Sequence, residues 1–185
     1  MAKSKAIGLV VGLGNPGENY SDTRHNAGFW FVDRAAEMLG VQFRSEAKFK
    51  ADVARANVGG RSIHLLRPAT YMNESGASVA PFAAYYKIDA GAILVAHDEL
   101  ELTAGTIRQK TGGGHGGHNG LRDIAKHMGA GFARLRIGID RPRHASDVAK
   151  YVLNKPTRED REAIDAAIDG VLANFEQLVA GTGNK

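Results

Sequence analysis

The sequence predicts an α/β fold, a single-domain three-layer sandwich in which a mixed, largely parallel sheet is flanked by helices. Three observations carry that expectation. Short apolar runs at Ala6 to Val11 and Ala92 to Ala96 read as buried strands. Apolar residues recur at helical spacing between Phe29 and Leu39 and again between Ile164 and Val179. The two patterns alternate along the chain without a repeat, a low-complexity tract or a linker, so residues 1–185 form one domain.

The elements follow in order. The first strand ends in a loop rich in glycine, with Tyr20, Arg24, His25 and Asn26, before Phe29, Val32, Ala36 and Leu39 mark a helix that Gly40 stops. Val41 to Phe43 and Ala51 to Val58 read as strands around a charged loop, and Gly59-Gly60 is a hairpin turn into Ser62 to Leu66. A helix is expected from Asn73 to Lys87, with Val79, Phe82, Ala83 and Tyr86 on one side. After the central strand at Ala92 to Ala96, Thr106 to Lys110 alternates as a strand. Asn119 then caps and begins a helix to Met128, and Arg134 to Ile139 is an edge or near-edge strand. Pro156 and Thr157 open one last helix, with Asp160 completing a capping box. Its stripe of Ile164, Ile168, Val171, Leu172, Phe175, Leu178 and Val179 is core packing.

Composition narrows the chemistry. The absence of cysteine excludes disulfides, thiolate metal ligands and a cysteine nucleophile. No apolar run approaches a membrane span, and the opening MAKSKAIGLVVGLG leads into GNPG rather than a cleavage site, so a soluble, cytoplasmic protein without a membrane partner is expected. Between Gly105 and Lys155 ten lysines and arginines face three acidic residues, a surplus of seven that exceeds the net charge of +4 for the whole chain. A basic face on an otherwise balanced protein suits a polyanion. Only Phe132 and Tyr151 are aromatic in that span, so phosphate contact is favoured over stacked bases.

Four motifs compete for the functional reading. Gly12-x-Gly14-x-x-Gly17 matches the dinucleotide fingerprint literally, but Pro16 and the polar run ENYSDT intervene before helical periodicity, and the acidic residue expected on a second strand is missing. TGGGHGGHNG lacks the Gly-Lys-Ser/Thr of a phosphate-binding loop. His115 and His118 within it have no nearby acidic residue to complete a metal site, so no metal and no cofactor are expected. Ser75 sits outside any G-x-S-x-G nucleophile motif. His25 and Asp98 make a more economical pair. Asp98 ends the most apolar strand, AILVAHDEL, where a buried carboxylate needs a partner and where α/β sheets collect their chemistry. Bonded to one nitrogen of His25, it would leave the other free to take a proton from water. Spacing alone does not separate this from a surface histidine at a helix start.

The stretches GLGNPGENYSDTRHNAG, LLRPATYMNESG, HDELEL and GTIRQKTGGGHGGHNGLRDI, followed by RLRIGI, resemble the bacterial-type peptidyl-tRNA hydrolases, in family order from Gly12 to Pro142. That resemblance implies a metal-independent esterase that cleaves the bond between a peptide and the tRNA 3′ end. It implies His25 as the base that activates water and Asp98 as its orienting partner, with Asn15, Asn73 and Asn119 positioning substrate and water. Tyr20, Met72 and His118 would line the crevice, and Lys110 and Arg136 would hold the tRNA 5′-phosphate region. The partner is then peptidyl-tRNA and the working form a monomer. The glycines after the first strand would turn the chain sharply, so that Asn15 and Tyr20 face the crevice and His25 reaches Asp98. Arg67, Glu101 and Thr103 depart from common family residues, and Asp140 replaces a usual glycine, which puts a carboxylate inside the basic segment. The same fold also occurs in RNA-splicing cofactors without hydrolase activity, which makes a non-catalytic RNA-binding module the alternative.

Overall fold

The computed structural model describes residues 5–181. Seven strands form one sheet: β1 (Leu9–Gly12), β2 (Arg44–Glu46), β3 (Ala51–Val58), β4 (Arg61–Pro68), β5 (Ile93–Glu99), β6 (Ile107–Thr111) and β7 (Ala133–Gly138). Their order across the sheet is β2-β3-β4-β1-β5-β7-β6. Pairings of β1 with β4 and β5, and of β5 with β7, are parallel, whereas β2-β3, β3-β4 and β6-β7 are antiparallel. The sheet is therefore mixed, as expected, with its parallel pairings in the centre and hairpin-like pairings at both margins. The helices are α1 (Ala27–Leu39), α2 (Gly76–Tyr85), α3 (Asn119–Met128), α4 (Val148–Val152), α5 (Arg158–Leu172) and α6 (Phe175–Ala180). None among the described residues is long and apolar enough to cross a membrane.

Strand alternation divides the core in two. Val10 and Leu94 point to a cluster with Phe31 and Val32 of α1, Ile164 and Ile168 of α5, and Phe175 and Val179 of α6. Leu9, Val11, Ile93 and Val95 point to the opposite cluster, with Val79 and Phe82 of α2 and Leu121 and Ile124 of α3. These are the outer two layers of the sandwich.

Several boundaries differ from the sequence expectation. Val41 to Phe43 is irregular and the short strand comes next, at Arg44–Glu46, fully exposed. The helix expected from Asn73 starts at Gly76, because Met72–Glu74 forms a separate 3-10 turn, and it ends at Tyr85. Tyr86 is 44% exposed rather than core. The C-terminal stripe belongs to two helices, broken at Ala173 and Asn174, although Thr157 does cap the first by accepting from the Asp160 N–H. His118, not Asn119, caps α3. The basic start of the chain, residues 1–4, lies outside the described residues.

The glycines of the opening motif do two jobs. Only Gly17 takes a positive φ, 104°. Gly12 is required by packing, since a Cβ there would lie 2.3 Å from the Gly28 carbonyl oxygen, and one on Gly28 would lie 2.3 Å from that of Ala96. At Gly14 a Cβ would strike the Phe29 ring. Helix α1 thus rests directly on the backbone of β1 and β5, which sets the height at which His25, two residues before it, enters the rim. The sharp turn expected from all three glycines belongs to Gly17 alone.

Candidate active site

Strands β1 and β5 are parallel neighbours, so their carboxyl ends share one rim. Asn15 follows β1, and Asp98 lies one residue from the end of β5. Between them Arg24–Asn26 forms a single 3-10 turn that carries His25. Its two neighbours pin it. The Asn26 side chain accepts from the Asn15 N–H and donates to the Asn15 carbonyl, both at 2.9 Å. The Arg24 guanidinium donates to the carbonyls of Tyr151 and Asn154 and lies 3.9 Å over the Tyr151 ring, fastening the turn to α4. Arg24 and Asn26 are 9% and 1% exposed, which leaves His25 the accessible member of the three.

Asp98 is 4% exposed and serves two imidazoles. Its Oδ2 is 2.8 Å from His25 Nδ1 and its Oδ1 is 2.7 Å from His118 Nε2. The tautomers follow from the partners. His118 Nδ1 accepts from the backbone N–H of Gly120 and Leu121, at 3.1 and 3.3 Å, so its ring proton is on Nε2 and donates to Asp98. An ionised carboxylate only accepts, so His25 also donates, through Nδ1, and its Nε2 carries the free lone pair. Burial lowers the His25 pKa, but the charge of Asp98 and its hydrogen bond more than reverse that, and the net shift is upward. Burial raises the Asp98 carboxyl, and the two imidazoles outweigh it, holding Asp98 well below the usual carboxylate range. Asp98 is therefore an anion throughout the range in which His25 titrates.

A third histidine completes the cluster. His97 is 2% exposed, donates from Nδ1 to the Asp98 carbonyl at 2.8 Å and packs edge-on to His118 with centroids 5.2 Å apart. Burial, then the neighbouring His118, lower its pKa to about 4, so it is neutral above that pH.

These groups open into a cavity of about 670 Å³. His25, Asp98, His118 and Asn119 line one part of it; Lys110, Arg134, Arg136 and Arg141 line another, with Gly114–Gly117 as its rim. Arg136 donates from Nε to Glu99 at 2.8 Å, and Arg141 pairs with Glu101, whereas Lys110 has no carboxylate partner among the described residues. Asp140 adopts φ 66°, the left-handed value a glycine would take readily, and its side chain accepts from the Arg141 N–H at 2.8 Å, so the aspartate keeps the loop turned.

The remaining expected residues sit beside this cavity rather than in its lining. Asn15 is 7% exposed, and its Oδ1 accepts from the Met72 N–H at 2.7 Å, which leaves Nδ2 as its free donor. Met72 is 4% exposed and lies against Gly120, where a Cβ would come within 2.6 Å of its Sδ. Asn73 is exposed on the same 3-10 turn. Tyr20 stands edge-on to Tyr71, centroids 6.3 Å apart, further out.

His25, Asp98 and His118 place three ligand-type atoms within 4.8 Å of one another. In this arrangement the His25 Nδ1 and His118 Nε2 lone pairs are replaced by protons directed at the carboxylate, so neither nitrogen can ligate without a change of tautomer. His115 is outside the group; its Nδ1 accepts from the Gly117 N–H at 3.0 Å.

His97, Glu99 and Arg134 are site residues that spacing did not single out, and Arg24 and Asn26 were named with the His25 loop but given no role. His97 and Glu99 flank Asp98 in HDEL, and that adjacency was the available signal. Arg24 and Arg134 act through backbone carbonyls outside their own segments, and Asn26 through the backbone of Asn15, which leaves no side-chain pattern to read.

Comparison with known proteins identifies the family. The family described as peptidyl-tRNA hydrolase matches residues 9–185. A peptidyl-tRNA hydrolase of Acinetobacter baumannii (strain AYE) is 51% identical over 175 residues, covering 95% of this chain and 91% of the relative. One of Psychrobacter cryohalolentis is 47% identical over 180 residues, covering 97% and 93%. The crystal structure of peptidyl-tRNA hydrolase from Acinetobacter baumannii superimposes with a TM-score of 0.92 at 49% identity, covering 97% of this chain and 91% of that one. A crystal structure of a peptidyl-tRNA hydrolase in complex with N-propanol gives 0.91 at 51%, covering 94% and 88%. With its histidine-aspartate-histidine cluster beside a basic cavity, and with relatives of this closeness along almost its whole length, the chain belongs to the peptidyl-tRNA hydrolase family.

Proposed function

We propose that this protein hydrolyses the ester between a peptide and the 3′-terminal ribose of tRNA, with His25 as general base. One observation carries the reading: Asp98 accepts a hydrogen bond from His25 Nδ1, leaving Nε2 unpartnered among the described residues in a cavity that also holds Lys110. Nε2 removes a proton from water as the oxygen attacks the ester carbonyl. The tetrahedral oxyanion collapses, expelling the ribose oxygen, which takes the proton back from the imidazolium. A positioned base of this kind contributes on the order of a hundred- to ten-thousand-fold.

Asn15 and Asn119 are the neutral donors assigned to substrate and water. Each has its carbonyl oxygen engaged, by the Met72 N–H and by Arg122 at 3.4 Å, so each presents an N–H₂ that can stabilise an oxyanion without titrating. Asn73, Tyr20 and Met72 form the peptide side of the site, His118 orients Asp98, and Lys110 with Arg136 receives tRNA phosphate. No step requires a metal or another cofactor. We take the working form to be one 185-residue domain, a monomer in the cytoplasm. A dimer in sedimentation at enzymatic concentrations would overturn the last point.

Release of peptide from an N-blocked aminoacyl-tRNA, in the presence of chelator, tests the reaction. Wild type turns over and His25→Ala falls to the background set by the remaining donors. Undiminished turnover by His25→Ala would remove the base assignment. Binding of tRNA without any turnover by wild type would instead support the splicing-cofactor type of module, which the intact His25-Asp98 pair and the hydrolase names of the relatives disfavour.

A further inference from the structure

The loop that rims the cavity is held from beneath by a buried cation. Arg134 on β7 is 3% exposed, and its two terminal nitrogens donate to the carbonyls of Gly113 and Gly114. Its guanidinium lies 4.9 Å from the centre of the Phe132 ring, whose residue also accepts the Gly112 N–H at 3.0 Å. Glu99 and Glu101 are committed to Arg136 and Arg141, and Arg134 makes no ion pair among the described residues. A buried charge without a counterion is costly, so the fork of donors to the two carbonyls has to hold the guanidinium in place.

Beyond Arg134, the loop is bonded at its ends, by the Gly112 N–H to Phe132 and by the Gly117 and His118 N–H groups to His115. Gly112, Gly113, Gly116 and Gly117 have φ of 66°, 95°, 57° and 83°, conformations glycine takes at small steric cost and leaves as easily. The same loop determines two functional side chains. Lys110 packs against Gly113, where a Cβ would lie 2.8 Å from Lys110 Cε, and the chain leaves the loop directly into His118. We propose that Arg134 is a positioning residue, which clamps the backbone at Gly113 and Gly114 and so sets Lys110 and His118 before peptidyl-tRNA arrives. This rests on the hydrolase reading for its kinetic consequence, but its structural consequence stands by itself.

Arg134→Gln and Arg134→Lys test it, with amide hydrogen exchange of residues 112–117 and cleavage of an N-blocked aminoacyl-tRNA at several salt concentrations. Lysine keeps the charge and loses the fork. Both variants are expected to exchange faster at 112–117 and to raise KM about tenfold, with a smaller change in kcat, because loss of one charged contact costs on that scale. The salt dependence of KM changes to the same extent in both variants, because each displaces Lys110 from its phosphate contact. A salt slope lowered by about one in the glutamine variant alone would make Arg134 a phosphate ligand and overturn the proposal. Unchanged loop exchange in both variants would overturn it too. If neither variant folds, wild type decides: exchange at 112–117 at the rate of a free chain means that no clamp exists. Failure of the hydrolase reading shows separately, as absent turnover in wild type with the exchange difference intact.

Discussion

His118 donates from Nε2 to Asp98 across 2.7 Å, so the carboxylate that orients His25, the proposed base, is itself held by a helix cap. Two N–H donors meet one carboxylate, and an amide cannot replace it. In Asp98→Asn the new N–H₂ faces one of the two imidazole protons, and that ring must change tautomer. We expect kcat to fall by about a hundred- to ten-thousand-fold, with tRNA affinity preserved. Loss of tRNA binding in proportion would show that Asp98 serves the fold instead.

With His25 as the proposed base, the acid limb of kcat/KM should report its titration. The base works only when neutral, and Asp98 raises its pKa against the opposing effect of burial, so activity should decline below a pH higher than the ordinary 6.5. Residual activity of Asp98→Asn should decline at lower pH, since burial then acts without the anion. Coincident limbs for the two proteins would sever the link.

Stability should respond to acid through His97. Its folded pKa is depressed to about 4, so between 6.5 and 4 the unfolded chain binds a proton that the native protein does not. Stability is complete above 6.5 and is lost as pH falls through that window, by at most about 3 kcal/mol. His64 is lowered in the same sense, by burial and then by Arg55, while His25, raised, has the opposite sign at the alkaline edge of the window. Denaturant titrations of His97→Phe should therefore lose less stability than wild type on going from pH 6.5 to 4. Parallel losses would contradict this.

On the proposed reading, phosphate affinity should be divided unequally along the basic wall. Lys110→Ala should weaken tRNA binding mainly at low salt and reduce the salt slope by about one. Glu99→Gln should act in reverse. Arg136 is paired to Glu99 at 2.8 Å, and freeing it should tighten binding of deacylated tRNA by up to about tenfold. Weaker binding in Glu99→Gln would mean that Glu99 aims Arg136 rather than competing with its phosphate.

Gly28→Ala should destabilise by about 1–3 kcal/mol, because its Cβ meets backbone of Ala96 and Leu13 that no rotamer change can move. An unchanged midpoint in urea would show that α1 can lift off the sheet.

The fold was legible where burial and periodicity coincide. Val10, Val95 and Ile164 each fall in apolar patterns wide enough to identify strand or helix. The errors lie where a few residues change conformation within one apolar stripe, as at Ala173 and Asn174, or where a tight turn precedes a helix, as at Met72–Glu74. The pair His25 and Asp98 was accessible to chemical reasoning because a carboxylate ending an apolar strand needs a partner. The cap on α3 was misassigned because Asn119 is the better capping type by propensity. The imidazole of His118 wins because one ring can satisfy Gly120, Leu121 and Asp98 together. Nothing in the sequence marks Arg24 or Arg134, whose partners are carbonyls that any residue supplies.

The reciprocal pair between Asn26 and the backbone of Asn15 makes a side chain behave as a peptide group. A carboxamide is planar, with its donor and acceptor on one rigid unit, so the two 2.9 Å bonds reproduce a rung of antiparallel ladder where no strand exists. The sheet is in effect extended by one residue's width at its catalytic edge. The place of His25 relative to Asp98 is thereby fixed by amide geometry rather than by the length or composition of the intervening loop. Insertions between Gly17 and Asp22 should consequently displace Tyr20 while leaving the His25-Asp98 pair in place, whereas a change as small as Asn26→Asp, which sets an anion against a carbonyl, should be felt at His25.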